Sequence, residues 1–395
     1  MSSRKHIVID ADILSGKSPL TGLGIYVDKL VSAIAQIAPE DFRFTLLYHG
    51  SEWHGKNYGS IFETAGYAPT VKHSTAIFLD LGHTLKKMQA DLFHVTCTTG
   101  APPFPPCPVV TTVHDLYPIL DPAHVSWKAR MIFTLLFGIT RRFSNAFLCN
   151  SRFTMNELKR IFPRIPDSAV TYSHLAPQED FSRYCPGEDQ QPQHAGEKYI
   201  FCAGALEYRK GQDLLLNGYL KALEKNPCLP DLYFAGTDRG LGTMIQNCPN
   251  SKVHWLRYLS PELFKDRMIH AALCVFPSRY EGFGIPLLEA LSAGRRVFCG
   301  DIPVFRETGG DIPEYIPLNP DAFAEAILHF FGQEEKSRPN PLDEQQYLRK
   351  VQDHLAQYSW VKTAEDTLQL YRNILSGGKL MTKIPSAMIE EAVHA

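Results

Sequence analysis

The chain has 395 residues, 44% of them hydrophobic, with 40 Lys/Arg against 42 Asp/Glu and a formal net charge of −2. That length exceeds what one core usually sustains, so two domains are expected. The near-neutral balance, without a recognition helix, aromatic RNA motif or long basic tail, argues against a nucleic-acid partner. Nine cysteines lie scattered without a C-x-x-C pair, which fits reduced thiols better than disulfides or zinc. The apolar run in MSSRKHIVID is too short for a secretory signal, and no stretch reaches the roughly eighteen apolar residues of a spanning helix. A cytoplasmic protein is therefore expected, soluble or peripheral on the inner face of the cell membrane.

In the first half, short apolar runs alternate with helical stretches: His6 to Asp10, a helix from about Gly24, Phe42 to Tyr48, Leu92 to Val95, Val109 to Val113 and Ala146 to Cys149. That alternation is the grammar of a parallel sheet wrapped by helices. Asp10-Ala-Asp12, then Gly22-Leu-Gly24, give a strand end, a flexible loop and a helix start. A G-x-G after a first strand hints at a dinucleotide site, but the second run ends in His49-Gly50 rather than an acid. Asp-x-Asp hints at a metal-dependent transferase, yet it precedes the Gly loop. His114-Asp115 closes the run Val109 to Val113, where a lone His is most often a structural hydrogen-bonding residue. Ser151, after the next run, is suited to cap the helix that follows.

From Ser126 to Arg164 there are eight Lys/Arg and one acid, a local balance of +7 that leaves about −9 for the remainder. Trp127, Phe133, Phe137, Phe143, Phe147, Phe153 and Phe162 interleave with those cations. Aromatics among cations suit an anionic membrane surface, worth about 1 kcal/mol per basic residue near acidic lipid. The alternative is a core helix, because MIFTLLFGI is apolar on all sides.

Polar, Pro-containing Cys185 to Lys198 reads as a linker, after which the pattern restarts. Tyr199 to Leu206, Leu232 to Ala235, Val253 to Leu256, Leu273 to Phe276 and Arg296 to Cys299 form a second strand series. Two doubly wound domains imply a cleft, since ligands of open α/β sheets bind at the carboxyl ends of strands. Ser359 to Leu375 is an amphipathic helix, and residues 377–395 read as a weakly ordered tail.

The densest chemistry lies in FPSRYEGFGIPLLEALSAGRRVFCGDIPVFRETGG, residues 276 to 310. A buried run leads into Gly282-Phe283-Gly284, Pro286 suits a first helical position and Gly294 a stop. Unpaired N–H groups and the helix dipole attract anions at such a start, so a diphosphate fits the amides near Phe283 and Gly284. Glu281 and Glu289 are then suited to accept hydrogen bonds from a hexose and a ribose respectively. Upstream, YIFCAGALEYRKG sets Arg209 and Lys210 at a strand end, an Arg fork and a Lys point charge for two phosphates.

Together these segments resemble the family-four retaining glycosyltransferases of GT-B architecture. E-G-F-G-I-P-L-L-E-A-L-S-A-G matches the donor-site signature, G-A-L-E-x-R-K-G the phosphate segment and T-V-H-D-L-x-P a first-domain segment whose His borders the transferred sugar. The resemblance implies an acceptor-side Rossmann-like domain over 1–185 and a nucleotide-sugar domain over 198–358. A terminal helix over 359–376 would cross back to the first domain. It assigns His114, Arg209, Lys210 and Glu281 to catalysis. Gly22, Gly24, Tyr258, Leu259, Gly282, Phe283, Gly284 and Glu289 join Arg209, Lys210 and Glu281 around the donor, Tyr258 and Leu259 meeting its base. Tyr26, Asp115 and Ser151 fall to the acceptor. The first-domain stretch departs from I-D-A-R…T-G-I-G-R-Y, with Asp12 and Ile25 in place of arginines, and Ala205 stands where many members carry Arg. The L-E-x-R-K and D-I-P-V-F-R-E forms resemble bacterial surface-polysaccharide mannosyltransferases. They favour GDP-mannose as donor and a glycan or lipid-linked glycan as acceptor. No H-E-x-x-H or other metal pattern is present, and no metal or cofactor is expected. Two other readings use the same residues: a nucleotide-sugar epimerase or hydrolase with Glu281 and Glu289 as paired acids, and a non-catalytic glycan-binding module.

Overall fold

A computed structural model describes residues 4–16, 22–67, 74–178, 198–336 and 341–377. Most of the expected linker, Thr21 and almost all of the expected tail lie outside them. The chain divides into two compact units: residues up to Pro118 with Trp127–Ser173 and the segment from Trp360, and Ile119–Ser126 with His174–Ser359. The eight described cysteines form no disulfide.

The first unit is built on seven strands: β1 (Lys5–Asp10), β2 (Phe42–His49), β3 (Phe62–Tyr67), β4 (Leu92–Val95), β5 (Val109–Val113), β6 (Ala146–Cys149) and β7 (Val170–Tyr172). They lie in the order β3-β2-β1-β4-β5-β6-β7, every neighbour parallel. Ile7 pairs with Phe44 on one side and Leu92 on the other. A parallel strand covered on both faces reads as an unbroken apolar run, which is why β1, β2, β4, β5 and β6 stand out in the sequence. The two edge strands do not. FETAGY of β3 is largely exposed, and β7 has only three residues.

The segment MIFTLLFGI is helical within Trp127–Phe143 but is not a core element: only Phe137 and Thr140 of that helix are buried. Trp127, Met131, Ile132 and Leu135 are each more than half exposed. The core-helix reading is therefore corrected. One narrow side holds the helix, with Phe137 against Phe162 and Thr140 accepting from the Gly100 amide, while Trp127, Met131, Ile132 and Leu135 are left uncovered.

The second unit repeats the plan with β8 (Tyr199–Ala203), β9 (Asp231–Ala235), β10 (Val253–Trp255), β11 (Leu273–Phe276), β12 (Arg296–Gly300) and β13 (Glu314–Ile316). Their order is β10-β9-β8-β11-β12-β13, again all parallel. The fold class is thus two Rossmann-like doubly wound parallel sheets, the domain type of GT-B proteins. Helix Gln212–Lys225 packs on helix Pro320–Lys336 through Gly218, where a Cβ would sit 2.6 Å from the Pro320 carbonyl oxygen. Strand order reverses between β8 and β11, so the loops leaving their carboxyl ends diverge to opposite faces and open a crevice.

The helix Trp360–Leu375 rejoins the first unit and packs on helix Gly22–Ile37. Arg372 forks onto Asp41 at 2.7 and 3.1 Å, and Ser173 donates to Asp366 at 3.0 Å. Beneath them runs a buried polar chain: the Tyr371 hydroxyl meets His94 Nδ1, His94 Nε2 lies 2.8 Å from Thr112 Oγ1, and Thr112 lies 2.8 Å from the Tyr26 hydroxyl. Burial, with a smaller effect from His114, lowers the His94 pKa to about 3. In the unfolded chain that group titrates near 6.5, so the unfolded state takes up its proton first. The contribution of neutral His94 is complete above pH 6.5 and is lost as pH falls from there toward 3. Urea unfolding at pH 7 and pH 4.5 should show a loss of a few kcal/mol attributable to this residue, and His94→Gln should flatten the profile. Equal pH dependence in both proteins would refute the assignment.

Candidate functional site

The two loops at the reversal point of the second sheet are fixed by backbone before any side chain is considered. After β8, Gly204 turns at φ 132° and Leu206 donates to the Thr237 carbonyl at 2.8 Å. Glu207 is extended, Tyr208–Lys210 forms a single 3₁₀ turn, and Gly211 closes it in the left-handed region at φ 68°. A Cβ on Gly211 would fall 2.0 Å from the Pro277 carbonyl oxygen. In return, the amides of Arg279 and Tyr280 donate to the Arg209 carbonyl at 2.8 and 3.2 Å. Arg279 forks onto Asp213 at 2.7 and 2.6 Å, donates to the Tyr208 carbonyl at 2.7 Å and lies over the Tyr208 ring. The loop leaving β8 and the loop leaving β11 therefore act as one piece.

That piece brings Arg209, Lys210 and Glu281 together. Lys210 Nζ donates to Glu281 Oε1 at 2.6 Å, Ser278 Oγ donates to the same oxygen at 2.8 Å, and Arg209 Nη1 lies 3.5 Å from Glu281 Oε2. Arg209 Nε contacts Glu207 Oε1 at 2.7 Å. Glu281 is only 7% exposed. Burial by itself would raise its pKa, but the charges of Lys210 and Arg209, with the hydrogen bonds from Lys210 and Ser278, hold it below the ordinary carboxylate value. Glu281 is thus an anion at neutral pH, and the four charges Glu207, Arg209, Glu281 and Lys210 cancel.

Gly282, Phe283 and Gly284 continue the same loop. Gly284, at φ 92° with the Phe305 ring 2.6 Å from where a Cβ would be, caps helix Ile285–Ser292, and Pro286 sits in its first turn. The amides at this start are oriented as an anion-binding end. Glu289 is one turn in and only 2% exposed. Phe283 is buried against His174 and Tyr358, and His174 Nε2 lies 2.7 Å from Glu307 Oε1. Tyr258, half exposed, and Leu259 lie between β10 and helix Pro261–His270, beyond a strand one residue shorter than expected.

In the first unit, His114 follows β5 and is half-buried. Its Nε2 donates to the Thr96 carbonyl at 2.8 Å, which leaves Nδ1 as the acceptor of the neutral ring; burial lowers its pKa. The Tyr26 ring meets it edge-on at 4.8 Å, and Asn150 donates to its carbonyl at 3.0 Å. Asp115 accepts from the Tyr117 amide at 3.1 Å. Three expectations are corrected. Gly22 and Gly24 lie in the first turn of helix Gly22–Ile37 rather than in a loop, because that helix begins two residues earlier than expected. Tyr26 is buried with its hydroxyl on Thr112, so it is a core residue and not an acceptor contact. Ser151 is fully buried, and its hydroxyl accepts from the Thr154 amide at 3.0 Å: the cap uses it, and no acceptor can reach it. Asp10, which the sequence places at a strand end without a role in the site, ends β1 at the reversal point of the first sheet, and burial pushes its carboxyl up to about 6. Glu207, Ser278, Asp213 and Arg279 were missed. The last pair is 66 residues apart and leaves no local pattern. Among the described residues, no group of three or more His, Cys, Asp or Glu is arranged to hold a metal ion.

Residues 188–349 match the family model described as glycosyl transferases group 1, so the second unit carries a group 1 glycosyltransferase domain. The O-antigen chain mannosyltransferase B of Escherichia coli is 31% identical over 172 residues, 41% of this chain and 44% of that protein. The chain spans less than half the length of the curated relatives it first matches. Among solved structures, WaaG, a glycosyltransferase involved in lipopolysaccharide biosynthesis, aligns with TM-score 0.67 at 15% identity, over 94% of this chain and all of its own. HepE of Anabaena, in complex with UDP-glucose, aligns with TM-score 0.65 at 15% identity over the same shares. At such identities the structures establish the fold alone.

Gly211→Ala tests whether the two loops are one piece. Its Cβ would collide with backbone that cannot yield, so a loss above about 2 kcal/mol is expected in urea unfolding. Gly240→Ala, also at positive φ but with nothing within 4 Å of its Cβ, should cost only about 1 kcal/mol. Equal losses would show that the contact with Pro277 is unimportant.

Proposed function

We propose that the chain is a retaining glycosyltransferase moving a hexose, mannose from GDP-mannose, onto a glycan or lipid-linked glycan acceptor at an anionic membrane surface. The observation that carries this reading is the desolvated array of Arg209, Lys210 and ionised Glu281 at the reversal point of the second sheet. A nucleoside diphosphate leaving group gains negative charge as its glycosidic bond breaks. Arg209, Lys210 and the helix start at Gly284 offset that charge in a water-poor site. Glu281 accepts hydrogen bonds from hexose hydroxyls and Glu289 from the ribose. The acceptor attacks from the face of the departing phosphate, whose oxygen takes the acceptor proton, so no side-chain nucleophile is needed. The cation pair supplies the charge that a metal would otherwise bring. An ionised Glu281 cannot serve as the general acid of a hydrolase, which requires a carboxyl kept protonated by a raised pKa. Mannose is supported by the kinship with the O-antigen mannosyltransferase.

The membrane surface is supported by helix Trp127–Phe143. Trp127, Met131 and Leu135 recur at four-residue spacing on its uncovered side, Ile132 lies beside them, and Phe104, highly exposed, packs edge-on against Phe143. Lys128, Arg130, Arg141 and Arg142 are exposed, and the helix has no acid. An amphipathic helix of this kind lies in the headgroup plane with its apolar side inserted. Among the described residues, no helix is long and apolar enough to cross a membrane.

Purified protein incubated with GDP-mannose, UDP-glucose and related donors in the presence of EDTA should show selective thermal stabilisation by one of them. Lys210→Ala and Glu281→Ala should each lower transfer from that donor at least about 100-fold. Full activity in either variant would remove the residue from the reaction. In a separate measurement, the protein should co-sediment with vesicles containing phosphatidylglycerol and not with pure phosphatidylcholine. The double variant Met131→Glu/Leu135→Glu should stay in the supernatant, and unchanged sedimentation would exclude this face.

A further inference from the structure

The reading above uses Arg209 and Lys210 as phosphate ligands but leaves one buried charge without a task. Glu207 is extended at the edge of the site, its side chain is 17% exposed, and Oε1 lies 2.7 Å from Arg209 Nε. Arg209 is therefore held on two sides, by Glu207 at Nε and by Glu281 at Nη1. The 2.7 Å contact of Glu207 with Nε is an ion pair rather than a hydrogen bond, so Glu207 acts on the guanidinium through its charge. The two carboxylates differ in one respect. Glu281 can exchange its cations for sugar hydroxyls when a donor enters, whereas Glu207 meets the array at Arg209 Nε. That carboxylate therefore lies beside any anion that Arg209 binds.

We propose that Glu207 is a positioning residue that sets how tightly the nucleoside diphosphate is retained: its carboxylate holds Arg209 by the ion pair at Nε and weakens the hold on the leaving product. The inference rests on the donor reading of this loop. Two positive groups with no counter-charge would bind a polyphosphate tightly and release it slowly, and product release limits turnover in many enzymes. A carboxylate behind the arginine keeps attraction and release in balance, while the Nε contact preserves the geometry.

Glu207→Gln keeps an oxygen for Nε but removes the charge. Calorimetric titration with GDP and with UDP should give binding roughly tenfold tighter than in the parent protein for whichever of them binds, as expected for one charge a few ångströms away in a partly desolvated site. The difference should shrink in 1 M NaCl. Steady-state transfer should show stronger inhibition by the same diphosphate. Glu207→Asp should restore the parent affinity within about threefold. Unchanged or weaker diphosphate binding in Glu207→Gln, with the fold intact by circular dichroism, would overturn the proposal, because a merely structural carboxylate gives that result. If the parent protein binds neither GDP nor UDP, the donor reading itself fails and this inference with it. If the parent binds, Lys210→Ala weakens binding and Glu207→Gln changes nothing, the inference alone fails.

Discussion

The structure of the site depends on the bridge between Lys210 and Glu281, which joins a loop leaving β8 to a loop leaving β11. A buried carboxylate is tolerated only when its charge is met at short range. Glu281 can be an ionised group inside the second unit because Lys210 is 2.6 Å away and Ser278 and Arg209 surround it. The loops themselves are held together by other means: the Gly211–Pro277 approach, two amides on the Arg209 carbonyl, and the Arg279–Asp213 fork. This separation matters for function. The charges that meet a ligand can rearrange without dissolving the scaffold, because none of the scaffold's own bonds is needed for binding.

Sheet topology decides where such a bridge can exist. In a parallel sheet all strands end on one edge, and where the order reverses, neighbouring crossovers go to opposite faces. β8 and β11 are the pair at that reversal. Only there do two loops leave side by side with room between them, so two segments about seventy residues apart in the chain contribute to one cluster. The first unit has the same reversal between β1 and β4, and the chemistry gathered near it is different. It offers a neutral His114, a carboxyl at Asp10 with a raised pKa and hydroxyls from threonines. One edge is suited to a polyanion and the other to uncharged polar groups.

Much of this was legible in the sequence wherever a single segment carried the signal. Strands covered on both faces show as apolar runs, and the loop chemistry of Arg209, Lys210, Glu281 and Gly284 is written in consecutive residues. The edge strands β3 and β7 were invisible because an edge needs no second apolar face. Tyr26 and Ser151 were misassigned for a related reason. A Tyr two residues after a glycine pair, or a Ser after a strand, looks the same whether it points to a ligand, caps a helix or fills the core, and burial alone separates the cases. The helix Trp127–Phe143 illustrates the reverse problem. Its sequence is apolar on every side, so nothing local tells which side is covered, and the exposed stripe emerges only once its packing against Phe162 and the Gly100 amide is known.

The number of partners around Glu281 follows from magnitudes. At 2.6 Å and an effective dielectric near 20, a single opposite charge offers roughly 6 kcal/mol of attraction, while taking a carboxylate and an ammonium out of water costs several kcal/mol each. Lys210 alone would therefore come close to balance, and the carboxyl would titrate near its ordinary value or above it. A second cation and a hydroxyl donor tip the sum toward the ionised form, in accord with the lowered pKa. The margin is modest by construction. Under the proposed donor reading, sugar hydroxyls and a diphosphate that replace these partners one for one can enter without a large barrier, whereas a single tightly satisfied pair would resist them. A charge cluster shared among several ligands is thus the arrangement expected of a site that must be stable when empty and still exchange its contacts on each turnover.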